Sequence, residues 1–183
     1  MTDPTVPAEH PWRRYVAIGD SFTEGMVDTD PRHEGRFIGW ADRLAAELAG
    51  RTGGEELHYA NLAIRGRKLD DVVGRQLDEA MTMAPDLVSI VGGGNDILRP
   101  RVDLDAIAAR LEEAVARIRA TGADVLLATP TDPRGAGLFS ALRTRHAVHT
   151  ANLYTIASRH RAHVLGLWGM QSMRDPRMWG EDR

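Results

Sequence analysis

The stretch Tyr15-Val16-Ala17-Ile18-Gly19-Asp20-Ser21 decides the fold of this chain. Its first four residues form a short, continuous apolar run, which is typical of a strand buried on both faces of a parallel sheet. The small and polar residues that follow end this strand, and Ser21 begins a turn toward a helix. Because ligand sites of open parallel sheets form at the carboxyl ends of the strands, the end of this run is a candidate site.

Four further apolar runs alternate with segments of helical spacing. The runs cover residues 57–62, 87–91, 125–128 and 164–168, and the helical segments cover residues 37–48, 69–83, 104–118 and 142–158. The third helical segment carries a clear apolar stripe at i, i+3 and i+4. Five strands separated by helices require right-handed crossovers and a parallel sheet with helices on both faces. We therefore predict one α/β domain over residues 1–183, a three-layer α/β/α sandwich.

The composition excludes several classes of protein. The 183 residues contain no cysteine, which excludes a disulfide scaffold and a cysteine-ligated metal or redox site. No apolar run approaches the ~20 residues that span a bilayer, and the N-terminus has no signal-peptide pattern. The net charge of -3 argues against a nucleic-acid partner. We expect a cytoplasmic protein without a membrane partner, and the sequence does not indicate its oligomeric state.

Three motifs follow the first three predicted strands. They are Gly19-Asp20-Ser21-Phe22-Thr23-Glu24-Gly25, Asn61-Leu62-Ala63-Ile64-Arg65-Gly66 and Gly92-Gly93-Gly94-Asn95-Asp96. The first is not the nucleophile elbow of α/β-hydrolases, because threonine stands at position 23 where that motif needs glycine. The third lacks the spacing of a dinucleotide fingerprint. Taken singly, the motifs also have structural interpretations, namely an N-cap serine, a turn glycine and a flexible capped turn.

The combination of the motifs is more informative than any one of them. If strands two and three flank strand one, Gly66 and Asn95 approach Ser21 from either side. Ser21 would then be a nucleophile beside three donors: its own N–H, the Gly66 N–H and the Asn95 side-chain amide. These groups make an oxyanion hole for a tetrahedral acyl intermediate, in which one donor typically contributes about 3–4 kcal/mol. The combination favours acyl transfer.

In their order along the chain, the three motifs resemble those of the SGNH, or GDSL-type, hydrolases, a family of esterases, thioesterases and carbohydrate deacetylases. The resemblance implies a flavodoxin-like strand order of 2-1-3-4-5. It also implies that Ser21 is the nucleophile, that Gly66 and Asn95 are oxyanion donors and that no cofactor is required. The implied substrate is a small acyl ester or thioester.

The base of this family is a histidine in an Asp-x-x-His block near the C-terminus. The last residues, Glu181-Asp182-Arg183, resemble the start of that block, which implies that Asp182 is the orienting carboxylate. The histidine would then follow Arg183, so we expect the sequence to be truncated there. The segment Asp30-Pro31-Arg32-His33 has the same spacing, but it precedes the first predicted helix, where a polar loop is the structural interpretation.

The histidines of the last helical segment suggest a metal site at first sight. His146, His149 and His160 fall near one helical face, but His149 and His160 would lie about 16 Å apart, too far to share an ion. We predict a solvated helix face instead. Two other functions stay open: a non-catalytic binding module of hydrolase descent, and a flavodoxin-like flavin or nucleotide binder, which fits the fold but not the motifs.

Overall fold

The sheet of this protein has the predicted strand order. The structure, a computed structural model, describes residues 10–26, 28–30, 33–35, 37–134 and 137–175. The strands are β1 (Arg14–Ile18), β2 (His58–Asn61), β3 (Leu87–Ile90), β4 (Asp124–Ala128) and β5 (His163–Leu165). They pair in the order β2-β1-β3-β4-β5, and all neighbours are parallel. The predicted α/β class and topology are confirmed. β2 is shorter than the predicted run by one residue at each end, and β3 ends one residue before its predicted run. β5 ends three residues before its predicted run, because Leu167–Gly169 forms a 3-10 turn.

Seven α-helices connect and cover the strands of the described chain. They are α1 (Ser21–Glu24), α2 (Trp40–Ala49), α3 (Leu69–Asp71), α4 (Leu77–Thr82), α5 (Gly94–Ile97), α6 (Leu104–Arg119) and α7 (Arg143–His160). A π-helical turn, Val72–Gln76, joins α3 to α4. The apolar periodicity does not predict α1 and α5, since each is about one turn long. Among the described residues, no helix is long and apolar enough to cross a membrane.

Both faces of the sheet are buried, as the continuous apolar runs predict. Successive side chains of a strand point to opposite faces, so β1 contributes to two separate clusters. Val16 and Ile18 pack with the apolar side of α6 and with residues of α3, α4 and α7, whereas Tyr15 and Ala17 pack with α2. The strand pairing places β1 between β2 and β3. The carboxyl ends of these three strands lie side by side, and the three motifs follow them.

Candidate active site

Ser21 is the first residue of α1 and follows the buried end of β1. The N-cap of this helix is Asp20, whose Oδ1 accepts a hydrogen bond from the Phe22 N–H at 3.0 Å. The interpretation of Ser21 as the N-cap is therefore wrong. Within the described part of the chain, neither the Ser21 hydroxyl nor its N–H has a hydrogen-bond partner. Both groups are available to a ligand at the start of the helix.

The turn before Ser21 is fixed by Gln76 of the π-helical turn. The Gly19 N–H donates to Gln76 Oε1 at 2.8 Å, and Gln76 Nε2 donates to the Gly19 carbonyl at 3.0 Å. Gln76 is only 2% exposed. A Cβ on Gly19 would lie 2.7 Å from Thr23 Oγ1 and 2.8 Å from the Val91 carbonyl oxygen, so only glycine fits there. The strand end that carries Ser21 is thus held by a buried side chain that sequence patterns do not single out.

Replacing Gln76 with leucine is expected to lower the free energy of unfolding by about 1–3 kcal/mol. The substitution leaves the buried Gly19 N–H without an acceptor, whereas the Gly19 carbonyl still accepts from the Ile64 N–H at 3.2 Å. Urea unfolding of the two proteins measures the difference. The matched control is Gln171→Leu at an exposed position, which should change little. Equal stabilities of the Gln76 and Gln171 variants would contradict this account of the turn.

Gly66 presents its backbone at an exposed turn after β2. Its φ is +73°, a conformation that favours glycine, although a Cβ there would meet no atom within 4 Å. Among the described residues, its N–H has no acceptor. Glu24 of α1 fixes this loop, because its carboxylate accepts from the Arg65 N–H at 2.9 Å and from Arg65 Nε at 2.9 and 3.0 Å. The helix that begins with Ser21 therefore also positions Gly66.

Asn95 lies in α5, after the carboxyl end of β3. Its Nδ2 donates one hydrogen to the Arg67 carbonyl at 2.8 Å, which fixes the amide and leaves its second N–H for a ligand. The next residue, Asp96, is buried and accepts from the Leu69 N–H at 2.8 Å. These two hydrogen bonds join the third motif to the chain just after Gly66. The motifs that carry Ser21, Gly66 and Asn95 therefore meet at one edge of the sheet.

The remaining predicted site residue, Asp182, lies outside the described residues. The alternative pair, Asp30 and His33, is described: His33 Nδ1 lies 2.9 Å from Asp30 Oδ2, with Asp30 buried and His33 exposed. In the described chain, no hydrogen bond joins His33 to Ser21. The observed contact closes the loop between α1 and α2 on itself, which fits the interpretation as a polar loop.

The three histidines of α7 have three separate partners. His146 Nδ1 lies 2.9 Å from the Leu142 carbonyl oxygen, and His160 Nε2 lies 3.0 Å from a carboxylate oxygen of Glu112. His149 is only 2% exposed, and its Nε2 lies 3.1 Å from the Gly92 carbonyl oxygen. The predicted solvated face is therefore wrong for His149. The glycine turn after β3 has no side chains, so the imidazole packs directly beneath it.

Burial lowers the pKa of His149 to about 4, against 6.5 for an exposed histidine, and the neighbouring His146 acts in the same direction. The hydrogen bond to Gly92 opposes this shift. Between these two pKa values the unfolded chain binds a proton that the folded chain does not. Stability contributed by neutral His149 is therefore present above pH 6.5 and is lost as the pH falls toward 4.

We expect that the free energy of unfolding of His149→Gln falls less steeply below pH 6.5 than that of the wild-type protein. A single proton bound only by the unfolded chain gives a slope of about 1.4 kcal/mol per pH unit, and the variant lacks that proton. Urea unfolding of both proteins at pH 4.5, 5.5 and 7.0 measures the difference, in which the other titrating groups cancel. Parallel profiles of the two proteins would show that His149 is not held neutral by the fold.

A model of the GDSL-like lipase/acylhydrolase family matches residues 17–183, which include all three motifs. No curated protein matches the chain.

Several solved structures have the same fold. A variant of Axe2, an acetyl-xylooligosaccharide esterase from Geobacillus stearothermophilus, superposes with a TM-score of 0.74 at 22% identity, over 93% of this chain and 85% of its own. LAE5, an α/β hydrolase from the metagenome of Lake Arreo in Spain, superposes with a TM-score of 0.71 at 24% identity, over 88% of this chain and 79% of its own. TesA superposes with a TM-score of 0.68 at 22% identity, over 90% of this chain and 86% of its own. At these identities the likeness establishes the fold.

Proposed function

Because the chain belongs to the GDSL-like lipase/acylhydrolase family, we propose that it is a serine hydrolase that cleaves small acyl esters or thioesters through an acyl-enzyme on Ser21. The family and the esterases among the structural neighbours support acyl ester hydrolysis.

The observation that carries the proposal is a serine with an unused hydroxyl beside unpaired donors on neighbouring loops. Within the described residues, the N–H groups of Ser21 and Gly66 have no acceptor, and Asn95 uses only one of its two amide hydrogens. Glu24, Arg67 and Asp96 connect the loops that carry these donors. Donors that are fixed before the reaction stabilise developing negative charge without reorganisation, which is what an oxyanion hole requires.

In the proposed reaction, the Ser21 oxygen attacks the carbonyl carbon of the substrate while a base takes the hydroxyl proton. The carbonyl oxygen becomes an oxyanion and accepts hydrogen bonds from the Ser21 N–H, the Gly66 N–H and the Asn95 amide. Collapse of the tetrahedral intermediate releases the alcohol or thiol, which receives the proton, and leaves Ser21 acylated. Water then attacks the acyl-enzyme by the same steps and releases the acid.

We assign the role of base to a histidine three residues after Asp182, oriented by the Asp182 carboxylate. A carboxylate that accepts from one imidazole nitrogen fixes the tautomer whose other nitrogen can take the serine proton. Support comes from Axe2, which has been solved as two catalytic mutants, one with a serine and the other with a histidine replaced by alanine.

The proposal is tested by steady-state hydrolysis of p-nitrophenyl acetate, butyrate and octanoate and of an acyl thioester by the full-length protein. We expect turnover of at least the short acyl esters, with a burst of p-nitrophenol close to one equivalent if deacylation is slow. Absence of turnover for every acyl chain length, in protein that unfolds cooperatively, would contradict the proposal and favour a non-catalytic binding module.

A further inference from the structure

The buried His149 lies directly beneath the turn that leads to Asn95. A carbonyl oxygen only accepts hydrogen bonds, so the 3.1 Å contact with the Gly92 carbonyl means that His149 Nε2 carries the hydrogen and donates it. The other ring nitrogen, Nδ1, is buried and has no hydrogen-bond partner among the residues that the structure describes. The imidazole therefore contacts the turn through Nε2, and both ring nitrogens are shielded from solvent.

The ring and the turn are complementary in shape. Gly93 has a φ of +91°, and a Cβ on it would lie 3.0 Å from His149 Cε1 and 3.1 Å from Nε2. The imidazole thus occupies the volume that any side chain at position 93 would need. Gly93 is also the N-cap residue of α5, and its carbonyl accepts from the Ile97 N–H at 3.0 Å. A shift of the ring would therefore shift the start of the helix that carries Asn95.

A second side chain of α7 holds the other end of the same segment. Arg145, one helical turn before His149, donates to the carbonyl oxygens of Ile97 at 3.1 Å, Arg99 at 2.8 Å and Pro100 at 3.1 Å. The spacing of four residues places both side chains on one side of α7. The segment from Gly92 to Pro100 is thus attached to α7 at its two ends, and Asn95 lies between them.

We propose that His149 is a positioning residue for the Asn95 amide: by holding the Gly92 carbonyl and filling the space under Gly93, it sets the position from which Asn95 donates to the oxyanion. This inference rests on the proposed function, because it assigns His149 to the same site. Oxyanion donors act over a narrow range of distances, and a misplacement of 1 Å can lower a rate by about 100-fold. The ring is neutral at pH 7 because burial lowers its pKa, so it remains a steady donor there.

The first test compares His149→Leu with His149→Gln. Leucine fills part of the volume but cannot donate, and we expect kcat for p-nitrophenyl acetate to fall about 10- to 100-fold while KM changes little. Glutamine can place an amide N–H near the Gly92 carbonyl, so we expect it to restore most of kcat. The matched control is Leu153→Ala, one turn further along α7 and equally buried at 2% exposure, which should lose stability but keep kcat.

The decisive test is a double-mutant cycle with Asn95→Ala. If His149 acts through the Asn95 amide, His149→Leu should lower kcat only slightly in a protein that already carries Asn95→Ala. If the loss is merely structural, the two substitutions should lower kcat independently and their effects should add. Should His149→Leu not fold, His149→Met replaces it in the cycle, because the flexible methionine side chain fills irregular space and also has no hydrogen to donate to the Gly92 carbonyl. Additive effects, or a His149→Leu variant with the kcat of the Leu153→Ala control, would overturn the inference. A wild-type protein without turnover would instead overturn the proposed function itself.

Discussion

Replacing Ser21 with alanine is expected to lower kcat for ester hydrolysis by about 10⁴- to 10⁶-fold. The substitution removes the oxygen that would form the acyl-enzyme but keeps the Ser21 backbone N–H and the other oxyanion donors. Because the Ser21 side chain makes no hydrogen bond within the described chain, and because Asp20 caps α1, the fold should be unaffected. The measurement is kcat for p-nitrophenyl acetate in the full-length protein, together with the urea midpoint.

Ser158→Ala is the matched control for this substitution. Ser158 is exposed near the end of α7, so the same loss of a hydroxyl there should leave both kcat and the urea midpoint unchanged. A Ser21→Ala variant that keeps more than about a tenth of the wild-type kcat would show that another residue is the nucleophile, since loss of a true nucleophile costs several orders of magnitude.

Replacing Asn95 with alanine is expected to lower kcat by about 10²- to 10³-fold with a much smaller change in KM. The amide would donate to the oxyanion, which exists only in the transition state and the tetrahedral intermediate, so its loss affects kcat more than binding. The Arg67 carbonyl loses its donor in this variant, but that contact is exposed and water replaces it.

Asn152→Ala tests whether loss of any asparagine amide has this effect. The Asn152 side-chain nitrogen in α7 is buried and has no hydrogen-bond partner in the described part of the chain, so its removal should be tolerated and kcat should stay within about twofold. Equal kcat values for the two asparagine variants would remove Asn95 from the proposed oxyanion hole. A rise in KM with an unchanged kcat would assign Asn95 to substrate binding alone.

Much of the fold could be predicted because burial on both faces leaves a direct signal in the sequence. The continuous apolar runs give all five strands and, with the helical segments between them, the parallel topology. The end of the last strand could not be predicted. Trp168 extends the apolar run, but the backbone turns at Gly166 and places Trp168 in a 3-10 turn. Hydrophobicity alone does not report where hydrogen bonding between strands stops.

The candidate site was predictable where its residues directly follow strands and was not where they lie elsewhere in the chain. Ser21, Gly66 and Asn95 each follow a strand, and the topology brings their loops together. Gln76 and His149 approach the same edge from helices. Their roles depend on tertiary contacts with Gly19 and Gly92 that lie about 57 residues away in sequence. The sequence around a polar residue in a helix does not show whether its side chain makes a buried tertiary contact or lies on the solvated surface.

The most direct test of the central claim, an activated Ser21, is the intact mass of the full-length protein before and after treatment with a fluorophosphonate. These reagents attach to serines whose hydroxyl is activated for attack. We expect one adduct per chain, located on the peptide that contains Ser21, and no adduct on the Ser21→Ala variant. A folded wild-type protein that gains no adduct, or an adduct that persists in Ser21→Ala, would contradict it.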